Sequence, residues 1–251
     1  MDICAYLDRI GYTGSEETSR ENLEKLLRCH LETVPFENLE CSGSGAPLSN
    51  ALDVLYDKVV VRRRGGICFE LNSLLYGLLS RMGYDCYMVE VRLYGSPTNP
   101  PRYSHAGVIT VLDGKKYYCD VGYGGPGPKG LMPLEEGPEQ TVSGARFQVG
   151  QEGCYTHLRR FHEGSWVNMI AFADVPCMIE DFTARLYYAA MHPQSSFVTR
   201  KTVNICLPCG GSKALTGNHL TIRRDGELYE EDLETEEAYN RALQEEFGIF
   251  L

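Results

Sequence analysis

A thiol, an imidazole and a carboxylate brought together suffice for acyl transfer, and this chain offers such a set at Cys68, His105 and Asp120. The cysteine lies in "RRRGGICFELNSLL" (Arg62–Leu75), where an amphipathic helix is expected to start at the cysteine itself. Unpaired N–H groups and the positive end of a helix dipole favour a thiolate there. Gly65 and Gly66 read as leaving room for an acyl group to approach the sulfur. The Cys68 amide, or a neighbouring N–H, is then available to a developing oxyanion.

The other two members are joined by a hairpin. "HAGVITVLDGKKYYCDVGYG" shows two strand-like runs around Asp113-Gly114, a pair suited to a turn that needs positive φ at both positions. Such a turn sets Leu112 opposite Lys115, so His105 and Asp120 share one face as diagonal neighbours. Their backbones would lie roughly 7 to 8 Å apart, within reach of a carboxylate–imidazole hydrogen bond. A thiolate beside His105 would form an ion pair, with Asp120 fixing the imidazole tautomer. Taken singly, each residue also has a bland reading: Cys68 as a small buried apolar side chain, and His105 as a strand histidine bonded to backbone.

The elements that must position this set change character along the chain. "SRENLEKLLRCHLETV" carries Leu23, Leu26, Leu27, His30, Leu31 and Val34 on one stripe and stops at Pro35. "NALDVLYDKVV" spaces Leu52, Leu55 and Val59 as a second helix. The third starts at Cys68, with Leu71, Leu74, Leu75, Leu78 and Met82 on one face and Gly83 placed to end it. From residue 85 the period becomes two. "DCYMVEVRLYG" alternates, "SPTNPPRY" reads as a loop, and Glu163-Gly164 and Asp225-Gly226 mark further hairpins. "TEEAYNRALQEEFGIF" closes the chain as a helix that docks through Ala238, Leu243 and Phe247. The expected fold is α+β in one compact unit: a helical bundle over 1–83 carrying the nucleophile, an antiparallel β-barrel over 84–190 carrying His and Asp, and an α/β lid segment over 191–251.

Composition bounds the function. With 251 residues and 43% apolar side chains, the chain can bury a large core. A net charge of -10 argues against a nucleic-acid or anionic-membrane partner, which would demand a basic face. The start, "MDICAYLDRIGY", has neither the basic nor the apolar region of a leader, and no run approaches membrane-spanning length, so a cytoplasmic protein is expected. Ten cysteines are scattered without the density of a secreted scaffold. "GYGGPG" (Gly122–Gly127) fits a dinucleotide-binding pattern, but Pro126, Pro128 and Pro133 rule out the helix that would hold the pyrophosphate. "CLPC" (Cys206–Cys209) lacks a second pair to complete a zinc site, so no metal is expected.

Several separated segments together resemble the arylamine N-acetyltransferase family: "YLDRIGYTG", "VPFENLE", "RGGICFELN", "YSHAGV", "DVGYGG" and "HPQSSF", in order over residues 6 to 197. The resemblance implies a Cys68–His105–Asp120 triad on a relative of the papain-like cysteine hydrolase or transglutaminase arrangement. It implies ping-pong kinetics: acetyl-CoA, a co-substrate and not a bound cofactor, acetylates the cysteine, and an aromatic amine or hydrazine then attacks the thioester. It further implies that Glu37 pairs with Arg64 to brace the helix start, and that Phe36 and Tyr123 line the acceptor pocket. The Gly124-Gly125 loop with nearby basic residues is the suggested CoA phosphate contact. Ile67 replaces a large aromatic common at that position, and Tyr123 a phenylalanine, which bears on substrate preference. The same triad would also serve an amide synthase or a thiol hydrolase or transamidase.

Overall fold

The computed structural model describes the chain apart from Ser44, residues 96–103 and the side chain of Cys209. The loop expected at "SPTNPPRY" therefore lies outside the described residues. The N-terminal part holds α1 (Ile3–Arg9), α2 (Arg20–Thr33), a two-residue strand β1 (Phe36–Glu37), α3 (Leu52–Tyr56) and α4 (Cys68–Arg81). Ser19 caps α2 by accepting from the Asn22 N–H, and Leu23, Leu26, Leu27 and Leu31 are buried as their spacing requires.

An eight-stranded antiparallel sheet, coiled into a nearly closed barrel, follows. It contains β2 (Asp85–Leu93), β3 (His105–Leu112), β4 (Lys115–Cys119), β5 (Met132–Pro133), β6 (Glu139–Val142), β7 (Ala145–Glu152), β8 (Tyr155–His162) and β9 (Ser165–Ala173). Their order is β5-β4-β3-β2-β9-β8-β7-β6. The β3–β4 hairpin has the register its turn demands, with Leu112 paired to Lys115. Asp113 and Gly114 both take positive φ, 50° and 72°, and the Glu163-Gly164 and Asp225-Gly226 turns repeat the pattern.

Two further helices, α5 (Thr183–Met191) and α6 (Ser196–Thr199), lead into a second sheet. Its strands are β10 (Thr202–Cys206), β11 (Ser212–Thr216), β12 (His219–Arg224) and β13 (Glu227–Asp232), and α7 (Glu236–Phe247) ends the chain. On α7 the buried side chains are Tyr239, Ala242, Leu243 and Phe247, with Ala238 packed at the edge of that cluster. The "CLPC" motif is the corner of the β10–β11 hairpin, closed by the Leu207 N–H donating to the Gly211 carbonyl. β1 pairs with β10, so the N-terminal part supplies an edge of the C-terminal sheet. Buried Asn38 secures that joint: its amide donates to the Phe197 and Arg200 carbonyls, and its carbonyl accepts from the Thr202 N–H.

The segment read as a second helix departs from the α form. After α3 the backbone widens into a π-helical turn over Asp57–Val61, closed by the Arg62 N–H on the Asp57 carbonyl. Lys58, Val59 and Val60 on this turn are all buried. The turn carries Lys58 Nζ to 2.8 Å from Glu70 Oε1 and 2.7 Å from Glu40 Oε2. Burial alone would lower the Lys58 pKa, but Glu70, Glu37 and Glu40 more than offset it, and the ammonium stays charged.

Glu70 has a second task. Its Oε2 accepts the Ile67 N–H at 2.9 Å, capping the start of α4 where Ile67 has no side-chain acceptor of its own. Replacing Lys58 by Met leaves this buried carboxylate without its cation. The expected cost is about 3 to 5 kcal/mol, read as a lower urea midpoint, and Glu70→Gln in the same chain should recover part of it.

Gly65 and Gly66 have a different role from the access expected of them. A Cβ at Gly65 would lie 1.9 Å from the Pro35 carbonyl oxygen, and one at Gly66 would meet the Glu70 carboxylate at 2.9 Å. The backbone here bridges to Phe36, and Glu37 N–H donates to the Gly66 carbonyl. The glycines admit the chain's own β1 and Glu70, not substrate. Gly65→Ala is expected to destabilise by about 3 kcal/mol or more, because a backbone oxygen blocks the new methyl. A thermal melt of the variant measures this.

Candidate active site

Three elements deliver the triad. Cys68 is the first residue of α4, His105 the first of β3, and Asp120 the first residue after β4. All three are buried, at 3%, 1% and 2% exposure, so their charges interact with little water between them. His105 Nε2 lies 2.6 Å from Asp120 Oδ2, the diagonal contact that the hairpin register requires. With Nε2 committed to Asp120, Nδ1 is the ring nitrogen left for Cys68, whose sulfur lies close enough to influence the imidazole's protonation. The sulfur is also 3.9 Å from the Ser104 carbonyl.

Asp120 is saturated with donors. Its Oδ2 accepts from His105 and, at 2.7 Å, from the Tyr118 hydroxyl. Its Oδ1 accepts from Asn72 Nδ2 and from the Gly122 N–H, both at 2.9 Å. Burial would raise the Asp120 pKa, yet His105, Asn72 and Tyr118 together hold it below the ordinary carboxylate value. Burial would likewise lower His105, but Asp120 and then Cys68 push it up to about 10. The direction favours the protonated imidazole.

Asn72 and Tyr118 were not singled out by sequence reasoning. Asn72 follows Cys68 by one helical turn, a spacing that places both on one face of α4 and was available as a signal. Its amide also donates to the Ala106 carbonyl at 2.6 Å, and its Oδ1 accepts the Val121 N–H at 2.9 Å. Tyr118 alternates with Asp120 across the end of β4, which puts both on the same face. Gly122 was noticed only as part of a decoy. A Cβ there would lie 2.6 Å from Cys68 Cα, so this is the glycine that lets the loop pass over the nucleophile.

Arg64 and Glu37 meet as the resemblance implied, with Arg64 Nη2 2.8 Å and Nε 3.0 Å from Glu37 Oε1. Glu37 Oε2 accepts the Leu39 N–H. Arg62 bonds Asp57 at 2.8 Å on the surface, and Arg63 is exposed with φ 55°.

The sulfur opens onto a cavity of about 690 Å³. Phe36 and Tyr123 line it, as do Met169 of β9 and Phe197 and Arg200 of the C-terminal part, which the sequence reading did not name. Tyr123 stands edge-on to His105 with ring centres 5.5 Å apart, and Phe36 lies 5.9 Å from Phe197. Ile67 is fully buried and absent from the lining, so the residue before the nucleophile does not face this cavity. Gly124 and Gly125 border this cavity and also a second of about 310 Å³, where Lys129, Arg160 and Lys213 supply positive charge.

Comparison with known proteins assigns this arrangement. A family model described as N-acetyltransferase matches residues 19–251. An arylamine N-acetyltransferase of Mycobacterium tuberculosis is 31% identical over 255 residues, covering 99% of this chain and 89% of the relative. The chain belongs to the arylamine N-acetyltransferase family. The solved arylamine N-acetyltransferase of Salmonella typhimurium superposes with a TM-score of 0.92 at 26% identity, over 98% of this chain and 90% of that one. That of Mycobacterium marinum in complex with CoA superposes at 0.90 and 29% identity, over 99% and 93% of the two chains. Among the described residues no helix is long and apolar enough to cross a membrane.

The buried pair gives this acyltransferase a pH signature in stability. The folded pKa of His105 lies above the ordinary unfolded value of about 6.5, so its contribution is complete below that pH and fades as pH rises towards about 10. The stability advantage of the wild type over His105→Gln should therefore shrink steadily across that window. Urea unfolding of both proteins at a series of pH values tests the slope.

Proposed function

We propose that the protein N-acetylates aromatic amines or hydrazines, taking the acetyl group from acetyl-CoA through a thioester on Cys68. The observation that carries this reading is the buried Asp120–His105 contact of 2.6 Å beside a cavity that Cys68 and His105 both line. Cys68 attacks the acetyl carbonyl as a thiolate, and the first-turn N–H groups of α4 face the oxyanion that forms. The tetrahedral adduct collapses by breaking the bond to the CoA sulfur, which takes the proton of His105. The amine nitrogen then attacks the thioester, His105 accepts its proton, and Cys68 departs as a thiolate. A weakly basic aromatic amine suits the second step because it is neutral at pH 7.

Phe36 and Tyr123 would hold the acceptor ring by edge and face contacts. Gly124 and Gly125 would pass CoA from the catalytic cavity to the second one, where Lys129, Arg160 and Lys213 offer counter-charge to its phosphates. Arg64 and Glu37 brace the mount without touching substrate. A cytoplasmic site of action fits both the supply of acetyl-CoA and the nine free cysteines among the described side chains, which a reducing compartment keeps as thiols.

Intact-mass measurement after incubation with acetyl-CoA alone tests the reading. One acetyl group should be gained, lost on adding aniline, and never gained by Cys68→Ala. A wild type that stays unmodified while cleaving amides or peptides would overturn it in favour of a hydrolase.

A further inference from the structure

Asp120 Oδ2 carries two donors where one would serve the triad. One is the imidazole at 2.6 Å and the other is the phenol of Tyr118 at 2.7 Å. The phenol is held there from both sides. Tyr118 is fully buried, its ring is stacked on Phe172 at 5.6 Å and 17°, and Gly107 on the neighbouring strand leaves the space it fills. A Cβ at Gly107 would lie 2.4 Å from the Tyr118 ring and 2.8 Å from its hydroxyl oxygen. Packing alone would be met by phenylalanine; the hydroxyl is placed on the one carboxylate oxygen that holds His105.

Two hydrogens on one oxygen compete. Each withdraws electron density that the other would use, and the positive end of the phenol dipole lies beside the imidazolium. This opposes the hold of Asp120 on the His105 proton. The effect matters most after the first half of the reaction. A Cys68 thiolate beside His105 favours the protonated imidazole, and in the acetyl-enzyme that negative charge is gone. His105 must then be neutral to take a proton from the amine as the new C–N bond forms. The tighter Asp120 holds the proton, the poorer a base the imidazole becomes.

We infer that Tyr118 is a positioning residue that weakens the grip of Asp120 on the His105 proton, and so lets His105 serve as base towards the incoming amine once Cys68 is acetylated. The inference rests on the acetyl-transfer reading above for its role in turnover, and on geometry alone for its effect on His105.

The surroundings leave few rivals for this role. The other titratable groups against the pair are Cys68 from α4 and Tyr123 from the loop after β4. Lys129 also interacts through charge with Asp120, and Arg160 with Tyr123, and neither hydrogen-bonds His105 or Asp120. On the barrel side, Val91 of β2 is paired with His105 and Phe172 of β9 covers Tyr118, and both are apolar. Burial, and then Asp120, drive the Tyr118 pKa well above that of a free phenol, so it remains a donor throughout the working range.

The test follows the two half-reactions separately across pH in Tyr118→Phe, which retains the ring and its stacking. Discharge of preformed acetyl-enzyme by aniline should have its pH profile displaced upward by roughly 0.5 to 1 unit, making the step about three- to ten-fold slower on the acid limb. Acetylation by acetyl-CoA should change by no more than about two-fold, since it uses His105 as an acid. Fluorotyrosine placed at position 118, a stronger donor of nearly the same shape, should displace the profile downward. NMR titration of labelled His105 in the Cys68→Ala background should move in the same two directions. Equal losses in both half-reactions with no displacement, or an unmoved His105 titration, would overturn the inference and leave Tyr118 a packing residue. If Tyr118→Phe does not fold, the fluorotyrosine protein decides by the same readouts. If the wild type never becomes acetylated, the acetyl-transfer reading fails, while the NMR arm still decides whether the phenol acts on His105.

Discussion

A carboxylate with almost no contact with water organises this protein. Asp120 is 2% exposed, and an isolated charge at that depth would be expelled or neutralised. It remains an anion because donors converge on it from several directions: Asn72 from α4, His105 from β3, Tyr118 from β4 and the Gly122 N–H from the following loop. Each of those elements must therefore be in place before the charge is satisfied. Asn72 extends the constraint, since it also binds the Ala106 carbonyl and the Val121 N–H, fastening α4 to the barrel at three points. The Asp120–His105 contact and the joint between helices and barrel are one structure. Any change that loosens α4 from β3 exposes or orphans the carboxylate, so geometry at the nucleophile is enforced by the cost of a buried unpaired charge.

A second buried charge cluster sets the other end of the mount. Lys58 reaches Glu70 and Glu40 only because the chain widens into a π turn, and Glu70 in turn caps the N–H ahead of Cys68. Arg64 and Glu37 close the gap to β1 on the far side. Two ionic clusters therefore converge on the first turn of α4. One of them holds His105, the other the helix start. The glycines at 65 and 66 belong to the second arrangement, where they let the Pro35 carbonyl and Glu70 approach the backbone.

The sequence made the hairpin legible because the geometry is local. An Asp-Gly turn fixes register, register fixes face, and face brings His105 to Asp120 without knowledge of the rest of the fold. The start of α4 was legible for a similar reason. Contacts between segments far apart in the chain were not. Nothing near Lys58 announces that its partner is twelve residues ahead across a π turn, and a helical stripe was the simplest reading of that segment. Gly65 and Gly66 were read as room for substrate because a sequence shows that a Cβ is missing but not what occupies the space. The structure answers that question with the Pro35 carbonyl and the Glu70 side chain, and places Gly122 against the backbone of Cys68. Tyr118 escaped notice because tyrosine in a strand is unremarkable until its hydroxyl is seen to share an oxygen with an imidazole.

The cavity over Cys68 explains why chemistry was easier to infer than preference. Cys68, His105 and Asp120 come from a helix start and one hairpin whose geometry is local, whereas the walls come from every part of the fold: Phe36 from β1, Met169 from β9, and Phe197 and Arg200 from the C-terminal part. These positions are coupled only through tertiary structure, so no short motif records them. Asn38 shows how the coupling is maintained, since one side chain fixes β1 to the backbone of Phe197, Arg200 and Thr202 at once. The cavity wall formed by Phe197 and Arg200 is thus tied to the strand that carries Phe36. The fully buried Ile67, beside the nucleophile in sequence, has no part in it. The shape and polarity of the cavity are thus shared between the helices, the barrel and the second sheet, while the contacts beneath it are fixed by Asp120.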